Sequence, residues 1–386
     1  MNQIKKLLPK LMIANFGIMA FSQVYFLLPM YLSDKGITDP GAVGWILGAF
    51  FFASTFPRPF LAYLVEAFPL RRLVFAASFI CFSAGVGIVC SKAVVPLIFW
   101  RLLAGLGFGL FLVALTTYQT FVIPEEVRGS AFALITVGSI FPFIVVLPAG
   151  DFMLHRGMGG LYIWLAPLMA LLCALVSLTL RPAKRGQKQE KENWGSWREL
   201  LSLKLVKGYL VSAIIYGLTD AAIISVTSLA MEKDLPPSAF MVPFAWGALL
   251  IRLLGFKILD IVPKGILASL VIGVNAIGLI GAALATNNLI FGVSGLIYGI
   301  GVGIGFPLYL ALVGEVTPRH LRPKATALAW FLLDGCYFVT PIIFGYLSEF
   351  LGASGAFRAL PIFLLAAASP VYFFCWRSLV KKELQR

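Results

Sequence analysis

The sequence predicts an all-α integral membrane protein with twelve transmembrane helices in two pseudo-symmetric six-helix bundles. Two observations lead to this prediction, namely the apolarity of the chain and an internal repeat. Hydrophobic residues make up 60% of the 386 residues, charged residues make up only 12%, and the mean hydropathy is +0.93. A soluble chain of this length needs far more charge to cover its surface, so the composition excludes a soluble protein.

Twelve apolar segments recur from end to end, and each is about long enough to cross the hydrocarbon core as a helix. Lipid offers backbone N–H and C=O groups no hydrogen-bond partner, so these segments must be helical. They lie at roughly 11–32, 42–64, 72–91, 95–118, 129–150, 161–181, 205–231, 239–259, 265–286, 288–313, 324–347 and 356–377. The first continues to Leu32, too far for the core of a cleaved signal peptide, so we expect an uncleaved first span.

Charged residues and glycines repeat at a constant spacing of 194 residues. Arg58 and Glu66 correspond to Arg252 and Asp260, since 252 − 58 and 260 − 66 both equal 194. The other pairs at this spacing are Gly105 with Gly299, Gly107 with Gly301, Gly109 with Gly303, Pro124 with Pro318, Arg128 with Arg322, Ala131 with Ala325 and Ala133 with Ala327. Parallel membrane repeats of this kind build transporters with a substrate path between the halves.

The repeat and one long polar stretch predict the domain boundaries. We expect an N-terminal six-helix bundle over 1–181, a cytoplasmic linker over 182–204 and a C-terminal six-helix bundle over 205–386. Trp194 and Trp197 in the linker are typical of a short amphipathic helix at the membrane interface. A plain linker and a regulatory segment both fit this composition.

The positive charge of the chain reflects its orientation in a membrane. The net charge is +14 and the pI is near 9.7, values that a nucleic-acid-binding protein also has. However, 23 of the 31 Lys and Arg residues fall on the side of the N-terminus, five fall on the other side, and three lie inside apolar runs. This positive-inside pattern predicts cytoplasmic N- and C-termini, contact of the basic residues with membrane lipid, and no nucleic-acid partner.

No pattern of enzyme or cofactor chemistry stands out in the sequence. The five cysteines all lie in or beside apolar segments without a C-x-x-C pair, and the two histidines fall in loops. We therefore expect no cofactor, no metal site and no disulfide framework. The run GIGVG at 299–303 is a poor nucleotide-binding candidate because no strand precedes it.

Three segments in order carry a family resemblance. Residues 62–72 (AYLVEAFPLRR) keep the acid and the final arginines of the pattern G-x-x-x-D-R-x-G-R-R, although its glycines are replaced. Residues 101–109 (RLLAGLGFG) match R-x-x-x-G-x-G, and residues 124–131 (PEEVRGSA) match P-x-x-x-R-G-x-A. With these motifs, the chain resembles the major facilitator superfamily over essentially its whole length. The resemblance implies two bundles that rock around a midplane site.

The resemblance also assigns a gating role to the loop after span two. Glu66, at the cytoplasmic end of this span, can accept hydrogen bonds from the N-terminus of a neighbouring helix, where the helix dipole favours an anion. The alternative is a static surface ion pair, worth at most about 1 kcal/mol. The candidate gating residues of the two halves are Arg58, Glu66, Arg71, Arg72, Arg252 and Asp260.

Ionisable residues inside spans are costly and are therefore candidates for proton coupling. Asp220 and Asp334 fall near the middle of spans seven and eleven, and the positions 194 residues before them are Phe26 and Ile140. The duplication therefore did not keep these acids for packing. Arg101 in span four matches an arginine that the family links to proton transfer or substrate contact. Structural ion pairing, binding of a cationic substrate and snorkelling of Arg101 remain alternatives.

Aromatic and amide side chains in spans predict an amphipathic cavity suited to organic solutes. Any one of them can instead be a packing residue. The candidate cavity residues are Gln23, Tyr25, Gln119, Tyr216, Tyr298, Tyr309, Trp330 and Tyr337.

These observations together predict a monomeric secondary transporter of the bacterial inner membrane that moves a small organic solute by proton-coupled alternating access. Arg58-Pro59 resembles efflux-type bacterial members and favours export. The family's antiporter pattern in span five is poorly met at 138–150, so proton-coupled uptake of a metabolite or siderophore-like chelate is the alternative. A non-transporting receptor and an intramembrane enzyme with an Asp220–Asp334 dyad are the remaining classes.

Overall fold

A computed structural model describes residues 2–123, 128–181, 196–254 and 262–377. Within these ranges the regular structure is helical, with no strand, which confirms the all-α prediction. The helices before the polar linker are α1 (Asn2–Val24), α2 (Leu28–Asp34), α3 (Pro40–Thr55), α4 (Arg58–Ala67), α5 (Leu70–Cys90), α6 (Val94–Val122), α7 (Arg128–His155) and α8 (Gly159–Leu178). Those after it are α9 (Trp197–Ser202), α10 (Lys204–Asp220), α11 (Val226–Glu232), α12 (Ser238–Leu254), α13 (Lys264–Leu284), α14 (Asn288–Val316) and α15 (Arg322–Val371).

Nine helical stretches of the described residues are long and apolar enough to cross a membrane, so the chain is a multi-pass membrane protein. The last of them contains Gly352 at φ 70°, a left-handed conformation that interrupts α15 and splits it into two arms. In the other half, Gly157 at φ 70° forms the turn between α7 and α8. Two apolar helices, α3 and α12, are shorter. The count of twelve spans stays a prediction.

Three predicted spans are interrupted. Span two breaks between α3 and α4 at Pro57, because proline has no N–H to continue the helix. Span one contains a 3-10 turn at Tyr25–Leu27, in which the Leu28 N–H bonds to the Tyr25 carbonyl oxygen just before Pro29. Span seven contains a 3-10 turn at Ala221–Ser225 between α10 and α11. The breaks in spans one and seven expose backbone carbonyl groups inside the fold.

The chain divides into two compact units, Met1–Gln189 and Glu190–Arg386. The 194-residue repeat is visible in their helix boundaries. Helix α5 covers 70–90 and α13 covers 264–284, so both ends are displaced by 194 residues. Helix α6 covers 94–122 and α14 covers 288–316, again displaced by 194 residues. The two halves therefore share one helical frame.

Glycine contacts repeat at the same spacing. A Cβ atom at Gly105 would lie 2.0 Å from the Phe50 carbonyl oxygen, and a Cβ atom at Gly299 would lie 2.1 Å from the Phe244 carbonyl oxygen. Both helix pairs thus pack backbone against backbone, α3 on α6 and α12 on α14, as small residues allow in membrane helices. Gly105 and Gly299 are one of the glycine pairs that repeat at the 194-residue spacing.

The short helix α9 is attached to the beginning of α15. The Ser196 hydroxyl accepts a hydrogen bond from the Glu199 amide and caps the helix, while Leu200 is fully buried. The Glu199 carboxylate lies 2.8 Å from the His320 ring Nε2. The Lys324 ammonium lies 5.6 Å from the centre of the Trp197 ring. The last residues of the predicted linker therefore pack against the C-terminal unit.

The contact of Glu199 with His320 gives an expected pH dependence. The hydrogen bond from His320 holds the pKa of the Glu199 carboxyl below its usual range. The contact therefore stabilises the fold at pH values above that usual range and is lost as the pH falls through the lowered pKa. We expect the Glu199→Gln variant to unfold at a slightly lower temperature than wild type at neutral pH. The difference should vanish in acid; a difference that persists there would contradict the assignment.

Candidate functional site

Asp220 lies at the point where span seven is interrupted. It is the last residue of α10, immediately before the 3-10 turn, and only 3% of its surface is exposed. The Tyr337 hydroxyl of α15 donates a 2.9 Å hydrogen bond to its Oδ2 atom. The Oδ1 atom is buried and has no hydrogen-bond partner among the described residues. One carboxylate oxygen is thus fixed by Tyr337, while the carboxyl group also neighbours the Tyr216 hydroxyl, which makes no described hydrogen bond of ordinary geometry.

Tyr298 stabilises the interruption itself. Its hydroxyl donates to the carbonyl oxygens of Thr219 and Asp220, at 2.9 and 2.5 Å, where the α-helix gives way to the 3-10 turn. The Asn275 amide donates to the Thr219 hydroxyl at 3.2 Å. Helices α13 and α14 therefore both bond to the chain at this change of helix type. The Asn275 Oδ1 atom is also buried without a partner among the described residues.

A row of polar side chains continues from Asp220 along one face of α10. Residues 209, 212, 216 and 220 follow the three- and four-residue spacing of one helix face. Tyr216 stacks on Tyr309 with ring centres 4.5 Å apart, and the Ser212 hydroxyl lies 2.6 Å from the Tyr309 hydroxyl. The Tyr209 hydroxyl donates to the Tyr309 carbonyl oxygen at 2.9 Å. The Tyr216 hydroxyl is buried without a partner among the described residues.

Asp334 lies near this cluster. It is half-buried on α15, within electrostatic range of Asp220. The described hydrogen bond of the Asp220 carboxylate is the one from Tyr337, and the Asp220–Asp334 dyad stays an alternative. Arg252 is exposed, donates its Nε–H to the Gly303 carbonyl oxygen at 3.4 Å, and is also within electrostatic range of Asp220.

The N-terminal unit has its own buried charge, Arg101 of α6, which is 2% exposed. Its guanidinium lies between two rings, 4.8 Å from the centre of Tyr25 and 4.6 Å from the centre of Phe50. It donates to the carbonyl oxygens of Ile46 and Leu47 at 3.1 and 3.3 Å. Arg101 therefore joins span one, α3 and α6. Its Nη1 atom is buried without a hydrogen-bond partner among the described residues.

Substitution of Arg101 by lysine is expected to destabilise the protein by about 2 kcal/mol. Lysine keeps the charge but loses the planar fork that reaches two carbonyl groups while stacking on two rings. The measurement is the midpoint of thermal or detergent-induced unfolding. Arg156, whose guanidinium lies 5.0 Å from the exposed Phe152 ring, is the matched control, and Arg156→Lys should change stability by about 0.5 kcal/mol or less. Equal effects of both substitutions would contradict the structural role of Arg101.

Tyr25 lies against this arginine on span one, and Gln23 of the same span bonds to α7. The Gln23 amide donates to the Ser139 carbonyl oxygen of α7 at 2.8 Å. Its Oε1 atom and the Tyr25 hydroxyl are both buried without partners among the described residues. Asn15, two turns earlier, donates to the Ile135 carbonyl oxygen at 2.9 Å. Buried polar atoms without described partners therefore occur on span one and on Arg101 as well as at Asp220.

The remaining predicted cavity residues are Gln119 and Trp330. Gln119 is buried near the end of α6. Trp330 is half-buried on α15 and packs edge-on against Phe306, with ring centres 5.2 Å apart. The roles of both in substrate contact stay predictions.

The predicted gating pairs are only partly described. Arg58 donates to the Ser54 carbonyl oxygen at 3.3 Å, and Arg71 donates to the Leu178 carbonyl oxygen of α8 at 2.5 Å. Arg72 is exposed. The side chain of Glu66 and residue 260, which is Asp260, lie outside what the structure describes. The gate therefore stays a prediction.

Several residues that complete the Asp220 cluster escaped the sequence analysis, namely Tyr209, Ser212, Thr219 and Asn275. The spacing of the first two from Tyr216 and Asp220 was a signal, because all four share one helix face. Asn275 stands 194 residues after Cys81, so a polar residue replacing an apolar one in the repeat was a second signal. In the described part of the chain, no three His, Cys, Asp or Glu side chains form a group that could hold a metal ion.

Comparisons with known proteins agree with this architecture. A family model described as Major Facilitator Superfamily matches residues 11–336. A search of curated proteins finds no match. A crystal structure of a mutant of the nucleoside transporter NupG superposes with a TM-score of 0.77 at 13% identity, covering 97% of this chain and 99% of that one.

Two further solved structures are similar. A bacterial homolog of the human lysosomal transporter Spinster, inward-facing and occupied, has a TM-score of 0.76 at 13% identity and covers 98% of this chain and 97% of its own. A POT family transporter in complex with a thioalcohol-conjugated peptide has a TM-score of 0.76 at 12% identity and covers 96% of both chains. At these identities the likeness concerns the fold.

Proposed function

Because the chain belongs to the Major Facilitator Superfamily and is a membrane transporter, we propose that it exports a small organic solute by proton-coupled alternating access. The observation that carries the proposal is the buried carboxyl of Asp220. One of its oxygens is held by Tyr337, and the other has no partner among the described residues. A carboxyl group in this setting can take up and release a proton, as coupling requires.

The helix interruption at Asp220 supports a coupling role. Exchange of a proton changes whether Asp220 accepts or donates hydrogen bonds. Its neighbours Tyr298 and Tyr337 belong to α14 and α15, so a change of charge at Asp220 alters contacts among three helices of the unit. Binding or release of a proton at Asp220 would in this way change the packing of the helices in the bundle.

The substrate class follows from the side chains around the two buried charges. Aromatic rings with hydroxyl groups suit a partly apolar organic molecule that offers a few hydrogen-bonding groups. The 23-to-5 distribution of basic residues supports insertion into the bacterial inner membrane with both termini cytoplasmic. The arginine-proline pair at 58–59 favours export over uptake.

The experiment is a comparison of metabolites in cells and in growth medium. A deletion strain, a wild-type complement and a complement carrying Asp220→Asn with Asp334→Asn are grown side by side. Export predicts a compound that is trapped inside the deletion strain and returns to the medium only with the wild-type gene. A compound left unused in the medium by the deletion strain would instead show uptake.

A receptor that does not transport predicts a different result. The metabolites in the cells and those in the growth medium would then be the same in all three strains, although the purified protein would still bind a ligand. Profiles restored by the acid variant as well as by wild type would contradict proton coupling through these carboxyl groups.

A further inference from the structure

A pocket lies in the C-terminal unit, at the opposite end of α10 from Asp220. Its volume is about 570 Å³, which is in the range of small-molecule sites. Helix α10 runs from Lys204 to Asp220, so about 24 Å of helix separates this pocket from the carboxyl group. The lining residues come from the beginning of α10, the end of α14 and the turn into α15, namely 203–205, 314–318 and Arg322.

The beginning of α10 faces this pocket without a cap. The residue before the helix is Leu203, whose side chain has no polar atom, and no side chain accepts a hydrogen bond from the first amides. These amides have no partner within the helix and carry the positive end of the helix dipole. Helix N-termini of this kind bind anions.

A buried hydroxyl group in the same pocket is the second and independent observation. Thr317 lines the pocket and is 4% exposed, and its Oγ1 atom has no hydrogen-bond partner among the described residues. A buried hydroxyl without a partner costs free energy, so such groups normally meet a ligand or water. Turned toward the beginning of α10, this hydroxyl group would donate a hydrogen bond to an anion seated there.

The charges that line the pocket favour an anion as well. Lys204 and Arg322 both contribute to the wall. Arg322 is held in place by hydrogen bonds to the carbonyl oxygens of Gly314 and Thr317, at 2.7 and 3.4 Å. The one acid of the wall, Glu315, forms an ion pair with Lys264 of α13, so its charge is compensated. The pocket therefore has a surplus of positive charge.

We propose that this pocket binds a phosphate-bearing anion. Phosphate matches the site because it accepts hydrogen bonds from backbone amides, a hydroxyl group, lysine and arginine at once. The ligand is either the headgroup of an anionic lipid or a free phosphate compound in water, since both present the same chemistry. Bound there, it would connect the beginning of span seven to the turn between α14 and α15.

The test uses purified full-length protein in a neutral detergent at constant ionic strength. The probes are inorganic phosphate and dioctanoyl phosphatidic acid, and dioctanoylglycerol is the control that lacks the phosphate. Binding is measured by calorimetry. The variants are Lys204→Gln, Thr317→Val and Arg322→Gln. The matched control is Lys207→Gln, an exposed lysine one turn further along α10 that does not line the pocket.

We expect Lys204→Gln and Arg322→Gln each to weaken binding about tenfold, Thr317→Val several-fold, and Lys207→Gln less than about twofold. If wild type binds both inorganic phosphate and phosphatidic acid, and the variants lose the binding of both, the pocket is a general phosphate site. Binding of phosphatidic acid alone identifies the lipid as the source, and binding of phosphate alone identifies a soluble compound. The proposal is overturned if neither probe binds better than dioctanoylglycerol, or if Lys204→Gln and Thr317→Val bind as wild type does. Those two variants decide the question should Arg322→Gln fail to fold.

Discussion

The Asp220→Asn variant is expected to lose concentrative transport while keeping downhill exchange of its substrate. Asparagine has nearly the same shape as aspartate and can still accept the hydrogen bond from Tyr337, so the cluster stays packed. It cannot carry a proton. A gradient of one pH unit supplies about 1.4 kcal/mol per proton, which corresponds to about tenfold accumulation of substrate. We expect wild type to accumulate substrate about tenfold under this gradient and the Asp220→Asn variant to show no accumulation.

The measurement uses vesicles with an imposed pH gradient and the substrate identified by the metabolite comparison. Asp34→Asn, which removes an exposed acid at the end of α2, is the matched control and should transport as wild type does. Tyr337→Phe removes only the hydrogen bond and should shift the pH profile of transport without uncoupling it. Full accumulation in the Asp220→Asn variant, with loss in Asp334→Asn, would move the coupling role to Asp334.

The second large effect concerns the glycines that let the helices approach. We expect Gly105→Ala to destabilise the N-terminal unit by about 3 kcal/mol, at the upper end of the cost of overpacking. The new Cβ atom would lie 2.0 Å from the Phe50 carbonyl oxygen. A backbone atom cannot move aside as a flexible side chain does, so α3 and α6 must separate. Gly299→Ala, with its Cβ atom 2.1 Å from the Phe244 carbonyl oxygen, should have a similar effect.

The control for these substitutions is Gly273→Ala on α13. A Cβ atom there meets nothing within 4 Å, so the change should be neutral or stabilise the helix by up to about 1 kcal/mol. The measurements are the unfolding midpoint and the fraction of protein that elutes as a single species from a sizing column. If Gly105→Ala and Gly273→Ala behaved alike, the close approach of α3 and α6 would not limit stability.

The sequence was sufficient to predict the helical frame because hydropathy and the repeat are properties of the chain itself. The long apolar helices and the shared boundaries of α5 with α13 and α6 with α14 follow from them. Pro57 and Pro29 adjoin two of the helix breaks, a local signal that the prediction of continuous spans did not use. The break at 221–225 contains no proline or glycine and is stabilised by Tyr298 of α14. A contact between distant parts of the chain cannot be read from local sequence.

In the candidate site, too, the sequence predicted which residues lie within spans but not which residues they contact. The sequence placed both Asp220 and Asp334 in the middle of spans, where any ionisable group attracts interest. It could not distinguish the buried carboxyl beside Tyr337 from the half-buried one on α15, because helix rotation is set by packing. It likewise assigned Arg101 to an apolar span without revealing the two rings that enclose it.

The buried charges show how far the two copies of an ancestral unit have diverged. Position 295, which corresponds to Arg101 at the 194-residue spacing, is a glycine whose Cβ atom would lie 2.3 Å from the Phe240 carbonyl oxygen. The position that corresponds to Asp220 is Phe26. A gene fusion of two N-terminal halves would carry two copies of Arg101 and no counterpart of Asp220, and a fusion of two C-terminal halves would carry two copies of Asp220 and no Arg101. Each half therefore contributes a buried ionisable group that the other half lacks at the corresponding position.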